Sequence, residues 1–392
     1  MASALAGLLV AASDAQARIT KIEMSKPVLA FGGYSFPGVG QYEVITGIAT
    51  GEVNPNSLQN SVITDIKLAP VNANGNVVYS HNFYILKPVN LKQGNHKMMY
   101  EPPNRGGKTY QTLNNTPTDS TTCPPANSCV NDPAAITDPT LLANSFLWTR
   151  GYTTVWTGWE NNLGPLNGLV ATASLPVAGS NITGPAYEYI VTGNPTFTLT
   201  YPAASGDQAN AKLTHRVHLD DVPPPSQDVP ASGWAYTDAT NTAIKLTTGN
   251  FVNNDIYEFS YIAKNPTVNG LGLAAIRDFN SFLRYATVDD LQTKNPLAGD
   301  ITRVYTETSS QPARTLNDFV HLGFNQEENG TRKVFDGMLQ WIGAGDGLNM
   351  FGRRAGALCR RSHMPVWTDE FVGDTAARSA LARRAFSYRR SG

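Results

Sequence analysis

A serine at a strand-to-helix junction is the residue of this sequence best suited, by type and spacing, to covalent chemistry. Residues 303–307 (RVYTE) read as a short strand, 308–312 (TSSQP) as a tight turn and 313–322 (ARTLNDFVHL) as a helix, with Ser310 between strand and helix. Such a turn raises a hydroxyl above a parallel sheet, with a helix N-terminus beneath it. Attack on a carbonyl there leaves an oxyanion that backbone N–H groups can hold. Gln311 would supply the first N–H. A second would come from the loop Asn104-Arg105-Gly106-Gly107, which follows the buried-type strand 97–100 (KMMY). Arg105 and Gly106 are its candidate donors, because the glycines permit close backbone approach to a ligand. The turn reads T-S-S-Q-P and not G-x-S-x-G, and a serine in this setting is also an ordinary helix N-cap. Pro312 is tolerated in a first helical turn.

In chain order a nucleophile of this kind is followed by an acid and then a histidine. Only His321 and His363 follow Ser310. His321 lies ~16 Å along the outgoing helix at ~1.5 Å per residue, so it reads as a helix-end histidine. His363 is left as the base. Asp346, in Gly343-Ala344-Gly345-Asp346-Gly347, is the first acid candidate and Asp336 the second; either also reads as a plain turn aspartate. His215-x-x-His218 with Asp220 and Asp221 has a metal-like look. It falls in a strand-like run, where residues three apart point to opposite faces, so a surface strand is the better reading. No metal and no cofactor is expected.

These residues need a scaffold. Alternating or β-branched stretches at 41–53, 61–68 and 76–86 suggest an N-terminal β-meander, separated by polar turns. A second buried-type strand, 152–156 (YTTVW), runs into Thr157-Gly158-Trp159-Glu160. Residues 165–266 read as a β-rich insertion, broken by the proline-rich 220–234. Residues 271–285 place Leu273, Ile276, Phe279, Phe282 and Leu283 on one helical face. The order of strand, glycine loop, strand, insertion, helix, strand, serine turn and helix is that of an α/β-hydrolase core. The expected class is α/β, with a mostly parallel sheet, the meander and the insertion. The expected division is 1–17, 18–164, 165–266, 267–350 and 351–392.

Several stretches resemble one family of large, mostly bacterial α/β-hydrolase-domain proteins. They are 42–51 with TGIATG, Tyr100-Glu101 leading to Asn104-Arg105-Gly106-Gly107-Lys108, and 151–159. Further on they are 257–266, 270–284, Ser310-Gln311-x-x-Arg314-x-Leu316, 321–325 (HLGFN) and 334–337 (VFDG). The resemblance covers roughly residues 40–350. It implies an α/β-hydrolase fold, hydrolysis of an ester or related acyl bond, and Ser310 as nucleophile. The family usually has glycine where Thr308 stands, and Ser or Thr followed by glycine where Pro312 and Ala313 stand.

Composition bounds the partners. Of 392 residues, 41% are hydrophobic and 16% charged, with a net charge of -1, which excludes a disordered chain and disfavours a nucleic-acid grip. Residues 4–12 (ALAGLLVAA) before Ala15-x-Ala17 read as a secretory signal lacking its basic start; a buried N-terminal helix is the competing reading. Export would place the protein in the periplasm or outside the cell and make a Cys123–Cys129 disulfide reasonable, leaving Cys359 over. No run is long enough to span a bilayer. After Lys333 lysine disappears and arginine accumulates, which suggests a truncated or out-of-frame end, with a basic amphipathic tail as the competing reading. The expected function is a secreted serine esterase acting on a small-molecule or polymer ester. The alternative is an inactive or truncated hydrolase scaffold that only binds. A β-rich carbohydrate-binding module would explain the strands but not the glycine loop or the serine turn.

Overall fold

The computed structural model describes residues 18–116, 132–161, 163, 173–179, 182–218, 227–328 and 332–343. The chain begins with β1 (Arg18–Met24), the two-residue β2 (Val28–Leu29) and β3 (Ser35–Phe36), then the long β4 (Gly40–Val53) and β5 (Val77–Pro88). β4 lies antiparallel between β1 and β5. Gly47 and Gly51 permit that approach, since a Cβ on Gly47 would overlap the Glu23 carbonyl oxygen and one on Gly51 the Tyr79 ring. Residues 61–68 do not form the strand that their alternation suggests. Turns and the short 3₁₀ helices Leu58–Asn60 and Ile66–Leu68 occupy this stretch. Ile63 and Ile66, three apart, both reach the core, a spacing that suits a three-residue turn and not a pleat.

Next come β6 (Lys97–Glu101), the short helices α1 (Gln111–Asn114) and α2 (Pro139–Asn144), β7 (Thr153–Thr157) and β8 (Ala173–Ser174). The insertion holds β9 (Thr183–Ile190), β10 (Thr196–Thr198), β11 (Ala211–Arg216), β12 (Asp228–Val229), β13 (Trp234–Tyr236), β14 (Ala243–Leu246) and β15 (Ile256–Lys264). They form one sheet in the order β12-β11-β15-β9 and another in the order β10-β14-β13. The two share a core of their own, including Ile190, Leu213, Trp234, Ile244 and Phe259. The chain then returns through α3 (Leu271–Tyr285), β16 (Arg303–Ser309), α4 (Gln311–His321) and β17 (Gly337–Trp341).

The main sheet runs β1-β4-β5-β7-β6-β16-β17, with β2 and β3 on β4 and β8 on β5. Pairing is antiparallel from β1 to β7 and parallel from β7 through β6 and β16 to β17. The carboxyl ends of the four parallel strands therefore share one edge, where ligands gather in α/β sheets. Alternation along β5 shows the layers. Phe83 and Ile85 join the core beneath α3, while Tyr84 and Leu86 join the opposite one with Phe31, Trp148 and Trp156.

Helix α3 spans the residues that its periodicity suggests, but it is not a one-faced helix. Residues 271–283 are buried without a break, Arg277 and Asp278 included. Its far side is covered, with Arg277 Nη1 donating to Asn60 Oδ1 at 3.1 Å. Asp278 takes Arg277 Nε at 2.6 Å and the Tyr79 hydroxyl at 2.7 Å.

Candidate active site at the carboxyl edge of the sheet

β16 occupies the middle of the parallel half, between β6 and β17, and leads straight into α4. The expected five-residue turn has shrunk to one residue. Strand pairing lasts through Ser309, and the helix begins at Gln311. Reversing direction in a single step forces Ser310 to φ 65° and ψ −121°. A side chain avoids that conformation, which costs on the order of 1–3 kcal/mol unless its surroundings impose it. The Ser310 N–H donates to Trp341 O at 2.9 Å, and the Ser310 carbonyl accepts from Ala313 N at 3.1 Å. Ser310 makes no side-chain capping bond to the helix and is exposed. It is therefore a strained, presented serine and not an N-cap.

The glycine loop meets it. In the β6–β16 ladder Tyr100 is level with Thr306, so β6 ends beside the last residues of β16. Asn104 and Gly107 exchange both backbone hydrogen bonds, at 2.8 and 2.9 Å. Between them Arg105 (φ 50°) and Gly106 (φ 81°) turn the chain with two positive φ angles. The Asn104 and Gly107 N–H groups are thereby used inside the turn, and Gly106 N–H has no backbone partner among the described residues. Two tethers join the neighbouring loops. Trp159 Nε1 donates to Pro103 O at 2.8 Å, and the Gln311 side-chain amide donates to Glu160.

Residues 218–378 match the family model of the alpha/beta hydrolase domain. A comparison with curated proteins finds no match to this chain. The alpha/beta hydrolase segment begins in the insertion and contains α3, the strained serine and α4. The fold is of the expected α/β-hydrolase class, with parallel strands around the site and antiparallel ones beyond it. The match runs to residue 378, so it covers part of the arginine-rich stretch 351–392 and stops short of its last arginines.

Of the acid and base candidates, Asp346 and His363 fall inside the alpha/beta hydrolase match but outside the described residues. Cys123, Cys129 and residues 1–17 are likewise outside them. Asp336 does not serve as the acid. It precedes β17, whose Gly337 is level with Tyr305, so it sits near Val304 at the opposite end of the strand from Ser310. Its Oδ2 takes the Val304 N–H at 2.9 Å and Arg284 Nη2 at 2.9 Å. His321 ends α4 and is exposed. His215 pairs with Asp255 at 2.7 Å and stacks on Tyr257, while Asp220 and Asp221 are outside the described residues. Among the described residues no three His, Cys, Asp or Glu side chains are grouped to hold a metal, and no helix is long and apolar enough to cross a membrane.

Thr308, where the family usually has glycine, does not adopt a positive φ. It lies inside β16, level with Gln340 and fully buried, and the reversal falls on Ser310 alone. Its Oγ1 is buried and makes no hydrogen bond among the described residues. Thr308→Val keeps the shape and removes that hydroxyl, so it should raise unfolding stability by about 1 kcal/mol in a denaturant titration. Unchanged or lowered stability would show that the hydroxyl is satisfied.

Sequence reading gave no role to Glu101, Lys108, Glu160 or Glu307. A carboxylate directly after an apolar strand, as in Tyr100-Glu101 and Trp159-Glu160, was the available signal. Glu307 is buried, and burial with the nearby Glu101 charge pushes its carboxyl up to about 8. A carboxyl raised on folding contributes stability that is full below about 4.5 and lost as pH rises through about 8. Between pH 5 and 8 the wild-type chain should therefore lose about 3 kcal/mol more stability than Glu307→Gln, measured by urea unfolding at each pH. Equal slopes would show that Glu307 ionises normally.

Proposed function

We propose that this protein is a serine hydrolase that cleaves carboxylic esters through an acyl-enzyme on Ser310. The observation that carries the reading is the strained, exposed Ser310 at the carboxyl end of a central parallel strand. In this reading Ser310 Oγ attacks the ester carbonyl carbon while its proton passes to His363, which Asp346 orients. The carbonyl oxygen becomes an oxyanion held by the N–H groups of Gln311 and Gly106, with Arg105 shaping the turn that presents Gly106. The alkoxide leaves with the proton from His363, and water then releases the acid by the same path reversed. The antiparallel insertion would bear on substrate choice. A cavity of about 620 Å³ between Pro70, Val177–Gly179 and Thr200–Pro202 is not lined by Ser310. The leader-like residues 4–17 support export to the periplasm or beyond, and in that compartment a Cys123–Cys129 bridge would persist.

Fluorophosphonate labelling of the purified full chain, with hydrolysis of short p-nitrophenyl esters, tests the reading. Labelling that maps to Ser310 and turnover lost in His363→Ala are the expected results. No labelling and no turnover would leave a hydrolase scaffold without this chemistry.

A further inference from the structure

We propose that Glu101 is a positioning residue for the loop that presents the Gly106 N–H, and that Glu307 on the neighbouring strand makes this positioning fail in alkaline solution. The inference rests on Ser310 being the nucleophile. Glu101 ends β6, and its side chain bridges both ends of the loop that follows. One carboxylate oxygen accepts the backbone N–H and the hydroxyl of Thr109, and the other accepts Trp156 Nε1 at 2.5 Å. The chain from Pro102 to Lys108 is thus closed by one buried side chain, and the positive-φ turn at Arg105 and Gly106 lies within it. Trp159 holds the same loop from the β7 side through Pro103. An oxyanion donor works only if it is already in place, so a closed loop is worth more than a mobile one.

Glu101, Lys108 and Glu307 are all buried around this clamp. Tyr84, Trp156 and Glu101 stand level across β5, β7 and β6. One step beyond the Thr306–Tyr100 pair, Glu307 is level with Glu101. Lys108 folds back over the Tyr84 and Trp156 rings, 4.8 and 5.6 Å from their centroids. Asp132 accepts the Tyr84 hydroxyl at 2.8 Å, and among the described residues Tyr100 and Tyr110 also face Glu101. Burial pushes the Glu101 carboxyl up, and three donated hydrogen bonds and the Lys108 charge work against that rise. Among the described residues Glu307 receives no such donors, and burial together with the Glu101 charge beside it pushes its carboxyl further, up to about 8. Burial brings Lys108 down to about 8 as well. Through that range the cluster gains a negative charge at Glu307 as it loses the positive one at Lys108. Glu101 is then repelled from across the ladder with no counter-ion, and the clamp loosens.

Glu101→Gln preserves size but sets an amide against one of the three donors. Its kcat on p-nitrophenyl acetate should fall ~10–100-fold with KM within about twofold. Amide exchange of residues 104–109 should quicken about tenfold at fixed pH, through more frequent local opening. Wild-type kcat should decline above about pH 8, and Glu307→Gln should move that decline upward by at least about one pH unit. A folded Glu101→Gln chain with wild-type kcat and exchange overturns the clamp, and an unmoved alkaline decline overturns the part given to Glu307. Should the wild-type chain hydrolyse no ester, the exchange measurement decides alone: faster exchange supports the clamp while the esterase reading falls, and unchanged exchange overturns the clamp. If Glu101→Gln does not fold, Thr109→Val removes one donor and should quicken exchange about threefold; no change overturns the clamp.

Discussion

Replacing Ser310 by glycine is expected to make the protein more stable and to end its reactivity. At φ 65° and ψ −121° a Cβ is strained, and glycine takes this conformation without one. Relief of on the order of 1–3 kcal/mol is partly offset by the greater freedom of glycine in the unfolded chain, leaving a net gain of about 1 kcal/mol. Ser310→Ala keeps the Cβ and the strain, so its stability should match wild type. Both variants lose the hydroxyl, and ester turnover should drop by at least ~10³-fold, with fluorophosphonate labelling at background. Urea unfolding of the three chains beside one labelling experiment separates the two origins of a conserved-size substitution. An N-cap serine predicts losses in both variants instead: glycine would cost a few tenths and alanine about 1 kcal/mol. Lower stability for Ser310→Gly would remove the argument from strain.

The largest loss of stability should follow Asp278→Ala. Arg277 is 1% exposed and Asp278 4%, and they meet at 2.6 Å inside a helix with no water-facing side over residues 271–283. The Tyr79 hydroxyl completes the carboxylate at 2.7 Å, while Asn60 accepts from Arg277 and donates to Glu328 at 2.8 Å. Removing the carboxylate takes from the buried guanidinium its directly bonded counter-charge, leaving Glu328 as its remaining negative partner, and leaves the Tyr79 hydroxyl without its acceptor. A loss of about 3–5 kcal/mol is the usual consequence of breaking such a pair from one side. Replacing both partners, as Arg277→Met with Asp278→Leu, removes the guanidinium and its bonded carboxylate together and should cost clearly less. Thermal and urea unfolding of the single and double variants measure the difference. A double variant as damaged as the single would mean that packing, and not charge, governs the site.

Much of the scaffold follows from local pattern. The alternating aromatics of β15, the apolar residues of β6 and β7, and the 3.6-residue period of α3 each specify an element whose type depends on near neighbours. Residues 61–68 show the limit, because alternation over so short a stretch does not distinguish a pleat from turns that bury Ile63 and Ile66. The same holds for α3: periodicity finds its apolar face but carries no sign of the Asn60 and Tyr79 partners that let Arg277 and Asp278 be buried on the other.

For the candidate site, the sequence by itself determined which serine and which glycine loop stand at strand ends, because a strand, a breaker and a helix in succession are local facts. Only the tertiary structure decided what they do together. Compressing the turn to one residue follows from β16 staying paired with β17 through Ser309, and this places the strain on Ser310 and not on Thr308. Rejection of Asp336 follows from the same register, which puts it near Val304, at the wrong end of the sheet. Glu101 and Glu307 come close because parallel pairing of β6 with β16, up to Tyr100 and Thr306, brings together residues about two hundred positions apart. Register between distant strands is set by the whole core, and no window of sequence contains it.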